Sequence, residues 1–155
     1  MNGNDKVPYI CGPLTELPLK RQISVKRFYE SIANAWERKF GKRPFVPHEH
    51  YDPQKHAHYT PAQVYEAERE QVCERTSLLI VVAVGPSWGG GIEVEMAYES
   101  DVPAAILCER EKLRQRKISR LLRGNPAIKY TIDYESEEEA IRELLEKFST
   151  VSAKN

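Results

Sequence analysis

The chain has 155 residues, 41% of them hydrophobic, which suits a single domain with its own core. Lysine and arginine together number 23, as do aspartate and glutamate, so the formal net charge is zero. This balance favours neither a nucleic-acid polymer nor an anionic membrane as a partner. No apolar stretch has the length of a membrane span, and residues 1–12 do not have the pattern of a signal peptide. We therefore expect a cytoplasmic protein.

The three cysteines are Cys11, Cys73 and Cys108, which are far apart in the chain and lie in apolar surroundings. An odd number at wide spacing is typical neither of a disulfide framework nor of a zinc site. We expect them to be reduced packing residues.

Five short apolar segments bounded by glycine, proline or polar residues are predicted to be strands. They are residues 7–11, 43–47, 77–84, 103–108 and 127–133. The third, "SLLIVVAV", has no polar alternation, which indicates a strand covered on both faces, as in a parallel sheet.

Helical patterns alternate with these strands, at residues 23–40, 61–75, about 91–100, 118–124 and 136–148. Gly41 ends the first helix. Thr60 with Gln63 forms a capping box for the second, and Ser136 with Glu139 forms one for the last.

This alternation predicts an α/β fold in three layers, with a doubly wound, flavodoxin-like sheet of five parallel strands in the order 2-1-3-4-5. No repeat or linker divides the chain. We expect one domain over residues 1–150 and a loose tail over 151–155.

The segment "PSWGGGIEVEMA" is the first candidate for a site, because three glycines precede a predicted helix. Glycine allows a ligand to approach the backbone, and a helix N-terminus attracts anions. Ser87 adds a hydroxyl group, so the segment predicts a pocket for a phosphate or a sugar. Glu93 should lie in the first helical turn, where the helix dipole favours an ionised carboxylate, suited to a base or nucleophile. The alternative is a first-turn glutamate that only complements the dipole.

Three motifs in this order resemble the nucleoside 2-deoxyribosyltransferase superfamily, and most closely its 2′-deoxynucleoside 5′-monophosphate N-glycosidase branch. They are a Y-x-C-G opening at Tyr9, Cys11 and Gly12, a P-S-x-G-x-G-x-E-x-x-x-A core at Pro86, Ser87, Gly89, Gly91, Glu93 and Ala97, and an S-x-x-x-R-G motif at Ser119, Arg123 and Gly124. The chain departs from the family at Trp88, Gly90 and Ser77, and in a longer, histidine-rich segment after the second strand.

The resemblance implies hydrolysis of the N-glycosidic bond of a nucleoside monophosphate without a cofactor. Glu93 would be the nucleophile, and Ser87 and Ser119 would hold the 5′-phosphate. Ser119 would reach the site of a neighbouring subunit, which implies a homodimer. Tyr9, Gly12, Gly89 and Gly91 would line the substrate site. Base transfer between nucleosides and nucleotide sensing without turnover are the alternative functions.

The proton donor to the leaving base is less clear from the sequence. Glu68 and Glu70 in "YEAEREQV" are both within reach of the place where the family has an aspartate. We favour Glu68, and the alternative is that both are surface glutamates.

Two H-x-H pairs, His48 with His50 and His56 with His58, lie in the polar segment after the second strand. Zinc binding is conceivable, but the segment has no cysteine and no helical spacing. We expect a base-contacting or lid loop and no metal. The basic residues of 109–124 are expected to be mostly solvated, with Ser119 near the phosphate.

Overall fold

The computed structural model describes residues 5–152 and contains a sheet of four parallel strands between two layers of helices. The sheet order is β1-β2-β3-β4. The strands are β1 (Val7–Cys11), β2 (Thr76–Val82), β3 (Ala104–Glu109) and β4 (Ile128–Tyr134). Since all neighbouring pairs are parallel, the carboxyl ends of the strands meet at one edge of the sheet.

The predicted strand at residues 43–47 is wrong as a full strand, because only Phe45 pairs with the sheet, as a parallel bridge to Tyr9. Phe45 N–H donates to the Pro8 carbonyl at 2.7 Å, and Ile10 N–H donates to the Phe45 carbonyl at 2.9 Å. Pro44 and Pro47 have no N–H group, so the ladder does not extend in either direction. The bridge lies at the free edge of β1, where the order 2-1-3-4-5 puts its second strand.

The structure has seven helices within residues 5–152. They are α1 (Leu19–Phe40), α2 (Pro47–Tyr51), α3 (Pro61–Arg75), α4 (Trp88–Glu99), α5 (Arg110–Arg114), α6 (Arg120–Arg123) and α7 (Glu137–Ser152). The short helices α2 and α5 were not predicted. Helix α7 includes residues 151 and 152 of the expected loose tail, and residues 153–155 lie outside the described part.

The helix boundaries follow their caps. Gly41 ends α1 in the left-handed conformation with φ 77°. Thr60 accepts a hydrogen bond from Gln63 N–H at the start of α3, and the reciprocal bond is also present, which confirms this capping box. Ser136 accepts a bond from Glu139 N–H at 3.2 Å, which is one half of the capping box predicted for α7. The Glu139 carboxylate accepts from Glu135 N–H at 2.7 Å instead of from Ser136, so the other half is shifted by one residue.

Strand β2 explains why the central run has no polar alternation. Leu78, Ile80 and Val82 pack into the core beneath α1 and α7, and Leu79 and Val81 pack into the core on the side of α3 and α4. Both faces of the strand are therefore buried. Among the described residues, no helix has the length and apolar character needed to cross a bilayer.

Candidate active site

The candidate site lies where the carboxyl end of β1 approaches helix α4. Ser87 is the N-cap of α4, and its Oγ accepts a hydrogen bond from Gly90 N–H at 3.0 Å. This bond and the following glycines start the helix directly after the loop from β2, so the three glycines are its first turn rather than a loop before it.

The three glycines differ in what surrounds them. A Cβ on Gly90 would lie 3.2 Å from Ser87 Oγ and 3.7 Å from Cys11 Sγ, so this position is closely packed. A Cβ on Gly89 or Gly91 would meet no atom within 4 Å. These two glycines leave an uncovered backbone surface that a ligand can approach closely.

Glu93 lies in the second turn of α4, so its expected place in the first turn is wrong. The helix begins at Trp88, several residues earlier than predicted, because Ser87 caps it. The dipole effect falls off within the first turn, and it is therefore weak at Glu93. The side chain points into the protein and is only 7% exposed.

The surroundings of Glu93 also contradict the expectation of a carboxylate that ionises readily. Burial, followed by the charge of Glu68, raises the pKa of Glu93 to about 8. Hydrogen bonds from the Tyr9 hydroxyl and the Cys11 thiol act in the opposite direction. Glu93 is thus a buried acid with two hydrogen-bond donors. Cys11, expected to be a packing residue, is one of them.

The structure separates the two candidates for the second carboxyl group. Glu68 is half-buried on α3, where burial raises its pKa to about 7, and its charge acts on Glu93 and on Tyr9. Glu70 is exposed and forms an ion pair with Arg75. Of the two, Glu68 is therefore the glutamate that faces Glu93.

The close packing around Gly12 leaves no room for a side chain. A Cβ there would lie 2.3 Å from the Tyr29 hydroxyl and 2.9 Å from the Val82 carbonyl oxygen. The Tyr29 hydroxyl is held in place by a bond to the Pro13 carbonyl at 2.7 Å. This close packing accounts for the residue, and its expected substrate contact remains a prediction.

Ser119 is exposed and caps α6, with its Oγ accepting a bond from Leu122 N–H at 3.2 Å. In the part of the chain that the structure describes, it makes none of the contacts that join Tyr9, Cys11, Glu68 and Glu93. Arg114 pairs with Glu111 at 3.4 Å, and Arg120 is exposed, as expected for a mostly solvated segment.

The histidine-rich segment forms α2 and a turn beside the site. His48 is buried, and its Nε2 lies 3.0 Å from Glu30 Oε1. The His56 ring accepts a bond from Asp52 N–H at 3.0 Å. Among residues 5–152, no three side chains of the usual ligand types lie close enough to hold a metal ion.

Aromatic rings connect this segment to the site. The Phe45 ring stacks on Tyr9 at 5.3 Å and on His50 at 4.5 Å between centroids. The Tyr51 ring lies 6.4 Å from that of Phe45. Sequence reasoning named neither Phe45 nor Tyr51 as a site residue, although Tyr51 lies in the segment that it expected to be a base-contacting or lid loop. The one available signal was their position at the carboxyl edge of the sheet.

The fold is similar to that of several solved structures. A CMP N-glycosidase, BcmB, from Clostridium botulinum matches with a TM-score of 0.62 at 22% identity, covering 90% of this chain and 97% of that one. BlsM matches with a TM-score of 0.62 at 17% identity, covering 93% and 94%. A conserved protein from Enterococcus faecalis V583 matches with a TM-score of 0.59 at 18% identity, covering 92% and 98%.

No family model matches the sequence, and no curated protein matches it significantly. The structural matches span nearly the whole chain at low identity, so they show a common fold. The fold of this protein is that of the CMP N-glycosidase BcmB and of BlsM. In this chain a buried glutamate, Glu93, and a half-buried one, Glu68, lie at the carboxyl edge of the parallel sheet.

Proposed function

We propose that the protein is a hydrolase that cleaves the N-glycosidic bond of a (deoxy)ribonucleoside 5′-monophosphate, releasing the free base and a sugar 5-phosphate. The observation that carries the proposal is the buried Glu93 carboxyl group, which accepts a hydrogen bond from Tyr9 and faces a second acid, Glu68. The sequence motifs at Tyr9 and at Glu93 and the fold shared with a CMP N-glycosidase support it.

In this proposal Glu93 is the nucleophile. Its carboxylate attacks the anomeric carbon and forms a glycosyl ester, while the bond from that carbon to the base nitrogen breaks. Protonated Glu68 supplies a proton to the departing base. Glu68 then accepts a proton from water, the water oxygen attacks the anomeric carbon, and Glu93 is released as a carboxylate.

The electrostatics of the pair allow the two carboxyl groups to share one proton near neutral pH. Each step needs one proton shared between two carboxyl groups, and burial raises the pKa of both. Because the pKa of Glu93, about 8, is above that of Glu68, about 7, the shared proton resides mainly on Glu93 in the free protein. The reactive form, with Glu93 ionised and the proton on Glu68, is therefore the minor one, and the hydrogen bond that Tyr9 donates to Glu93 favours it.

The 5′-phosphate is assigned to the N-terminus of α4, with Ser87 and the uncovered backbone at Gly89 and Gly91 as contacts. Ser119 is proposed to complete this subsite from a neighbouring subunit.

The proposed homodimer would use the outer face of α4. Trp88 is 86% exposed and Ile92 53%, one turn apart on this helix, and Leu121 of α6 is 88% exposed. The Asn125 side chain, just after α6, donates to Glu95 of α4 at 2.7 Å, so the two helices are neighbours. The apolar side chains and Ser119 thus belong to adjoining surface, which supports their burial together against a second copy.

The test is incubation with a panel of ribo- and deoxyribonucleoside monophosphates, with chromatography of the free base and Glu93→Gln as the inactive variant. A matched control is Glu99→Gln, an exposed glutamate of the same helix. Equal base release by wild type and Glu93→Gln would contradict the mechanism. Adding a second base separates hydrolysis from transfer, since only a transferase makes the exchanged product. Calorimetric binding without release would indicate a sensor.

A further inference from the structure

The two acids Glu93 and Glu68 and three aromatic side chains form a circuit that is joined partly by contacts and partly by charge interactions. Tyr9 donates to Glu93, Glu93 and Glu68 act on each other by charge, and the Glu68 charge acts on Tyr51. The Tyr51 ring lies 6.4 Å from the Phe45 ring, which stacks on Tyr9 at 5.3 Å with an interplanar angle of 18°. The circuit has the two acids on one side and the aromatic rings on the other.

The rings of this circuit are not equally available to a ligand. Tyr9 is fully buried, and Phe45 has Tyr9 and His50 against it as stacked neighbours. Tyr51 is half-buried, and its contacts to Phe45 and Tyr59 are tilted or edge-on rather than stacked. Tyr51 is therefore the ring of the circuit whose face has no stacked aromatic partner among the described residues.

The position of Tyr51 is fixed by the residue that follows it. Asp52 is 1% exposed, forms an ion pair with Lys26 of α1 and accepts a bond from Gln54 N–H at 2.8 Å. These bonds hold the end of α2 against α1. Tyr51 consequently has a rigid support, which is what a stacking surface needs to keep its orientation.

We propose that the leaving base stacks on the Tyr51 ring, so that Tyr51 determines affinity for the heteroaromatic part of the substrate. This inference rests on the proposed function, in which the base departs from the face of the anomeric carbon opposite Glu93 and is protonated by Glu68, whose charge acts on Tyr51. Every nucleobase has a π face, so such a surface accepts purines and pyrimidines alike. The ring, and not the hydroxyl, carries the interaction.

The experiment compares Tyr51→Leu and Tyr51→Phe with wild type, using three ligands. They are the nucleotide that wild type cleaves best, its free base as an inhibitor, and deoxyribose 5-phosphate, an inhibitor without a base. Tyr65→Leu is the matched control, since Tyr65 is an exposed tyrosine of α3.

We expect Tyr51→Leu to raise the KM for the nucleotide and the inhibition constant of the free base about tenfold or more. The inhibition constant of deoxyribose 5-phosphate should not change. Tyr51→Phe and Tyr65→Leu should behave as wild type. A general loss of structure would weaken the binding of all three ligands together. The inference is therefore overturned if the inhibition constant of deoxyribose 5-phosphate rises as much as that of the free base. It is also overturned if the KM for the nucleotide does not change.

If the proposed function fails, the result differs from the result expected if only the stacking on Tyr51 fails. Wild type would then release no base from any nucleotide of the panel. Calorimetric titration of wild type and Tyr51→Leu with nucleotide and free base would still test stacking in that case. Weaker binding by the leucine variant supports the role of Tyr51, and equal or absent binding overturns it.

Discussion

The Tyr9 hydroxyl donates a hydrogen bond to Oε1 of Glu93, although 84 positions separate the two residues in the chain. Tyr9 is in β1 and Glu93 is in α4, and both side chains are buried. Parallel pairing of β1 with β2 brings them together, because α4 follows β2 on the face of the sheet that Tyr9 also occupies. A buried carboxyl group thus has a neutral donor that stabilises its charged form.

Replacing Tyr9 with phenylalanine should impair the nucleophile. We expect kcat to fall about 10- to 100-fold, since a hydrogen bond to a charged group contributes about 1.5–3 kcal/mol. The acid limb of the pH profile should move to higher pH, because the bond lowers the pKa of Glu93. Steady-state kinetics across pH measures both effects. An unchanged kcat and profile would show that the bond has no part in the reaction.

The pH dependence of kcat/KM should be bell-shaped, with its maximum between about pH 7 and 8. Below this window both carboxyl groups hold protons and no nucleophile is present. Above it both are ionised and no acid protonates the base. The two limbs belong to the coupled pair rather than to either residue alone.

Glu68→Gln should abolish the alkaline limb of that profile and shift the acid limb to lower pH. The variant has no acid to ionise and no charge that raises the pKa of Glu93. We expect a loss of about 100-fold or more in kcat, the usual contribution of general acid catalysis. Glu70→Gln is the matched control and should retain both limbs. A Glu68→Gln profile identical to that of wild type would contradict the assignment.

Glu93→Gln should stabilise the protein at alkaline pH. The folded-state pKa lies above the ordinary value of 4.5, so the stability contribution of Glu93 is complete below pH 4.5 and is lost as the pH rises towards about 8. An uncharged glutamine avoids this loss. We expect a gain of up to about 5 kcal/mol at pH 9 in urea unfolding, since folding raises the pKa of Glu93 from 4.5 to about 8 and each pKa unit corresponds to about 1.4 kcal/mol. The gain should shrink at pH 5, and Glu99→Gln should show none.

Alanine substitutions at two glycines should have opposite effects on stability. Gly12→Ala forces a Cβ against Tyr29 and the Val82 backbone, so we expect a loss of more than about 2 kcal/mol. Gly91→Ala meets no atom within 4 Å and should raise stability by up to about 1 kcal/mol, since alanine is the better helix former. Its activity should nevertheless fall if substrate approaches the backbone there. Thermal unfolding and base release measure the two effects, and an unaltered activity would place the substrate elsewhere.

If Ser119 binds phosphate across a subunit interface, Ser119→Ala should weaken the binding of nucleotides and leave the binding of nucleosides unchanged. Mixing separately purified Glu93→Ala and Ser119→Ala chains then provides a sharper test. Half of the re-formed dimers would be hybrids with one intact site each, so about a quarter of wild-type activity should return. No recovery with confirmed exchange of subunits would mean that both residues serve the same chain's site.

Most of the fold was predictable because its signals are local. The apolar spacing of α1, the Thr60–Gln63 capping box and the two-sided apolar character of β2 each depend on near neighbours in the chain. The strand predicted at residues 43–47 was wrong for a reason that the sequence also contains, because Pro44 and Pro47 lie on either side of Phe45 and have no N–H group to extend the ladder. The prediction followed the apolar residues of this segment and treated the prolines only as its boundaries.

The site was predictable in part. The motif led to Glu93 and the region around Glu68, but the start of α4 was placed too late. The segment 87–91, with three glycines after Trp88, was predicted to be a loop because glycine disfavours helix, whereas the Ser87 cap starts the helix there.

The sequence alone determined the class of fold, the alternation of strands and helices and the candidate carboxyl group. Those features rest on periodicity and caps, which act over a few residues. Only the tertiary structure decided that Glu93 is buried, that Glu68 rather than Glu70 faces it, and that Cys11 and Tyr9 donate to it. The physical reason is that burial and electrostatic coupling depend on which elements the parallel sheet brings side by side. In this chain these are α3 and α4, which precede and follow β2, and β1, which is far from both in sequence.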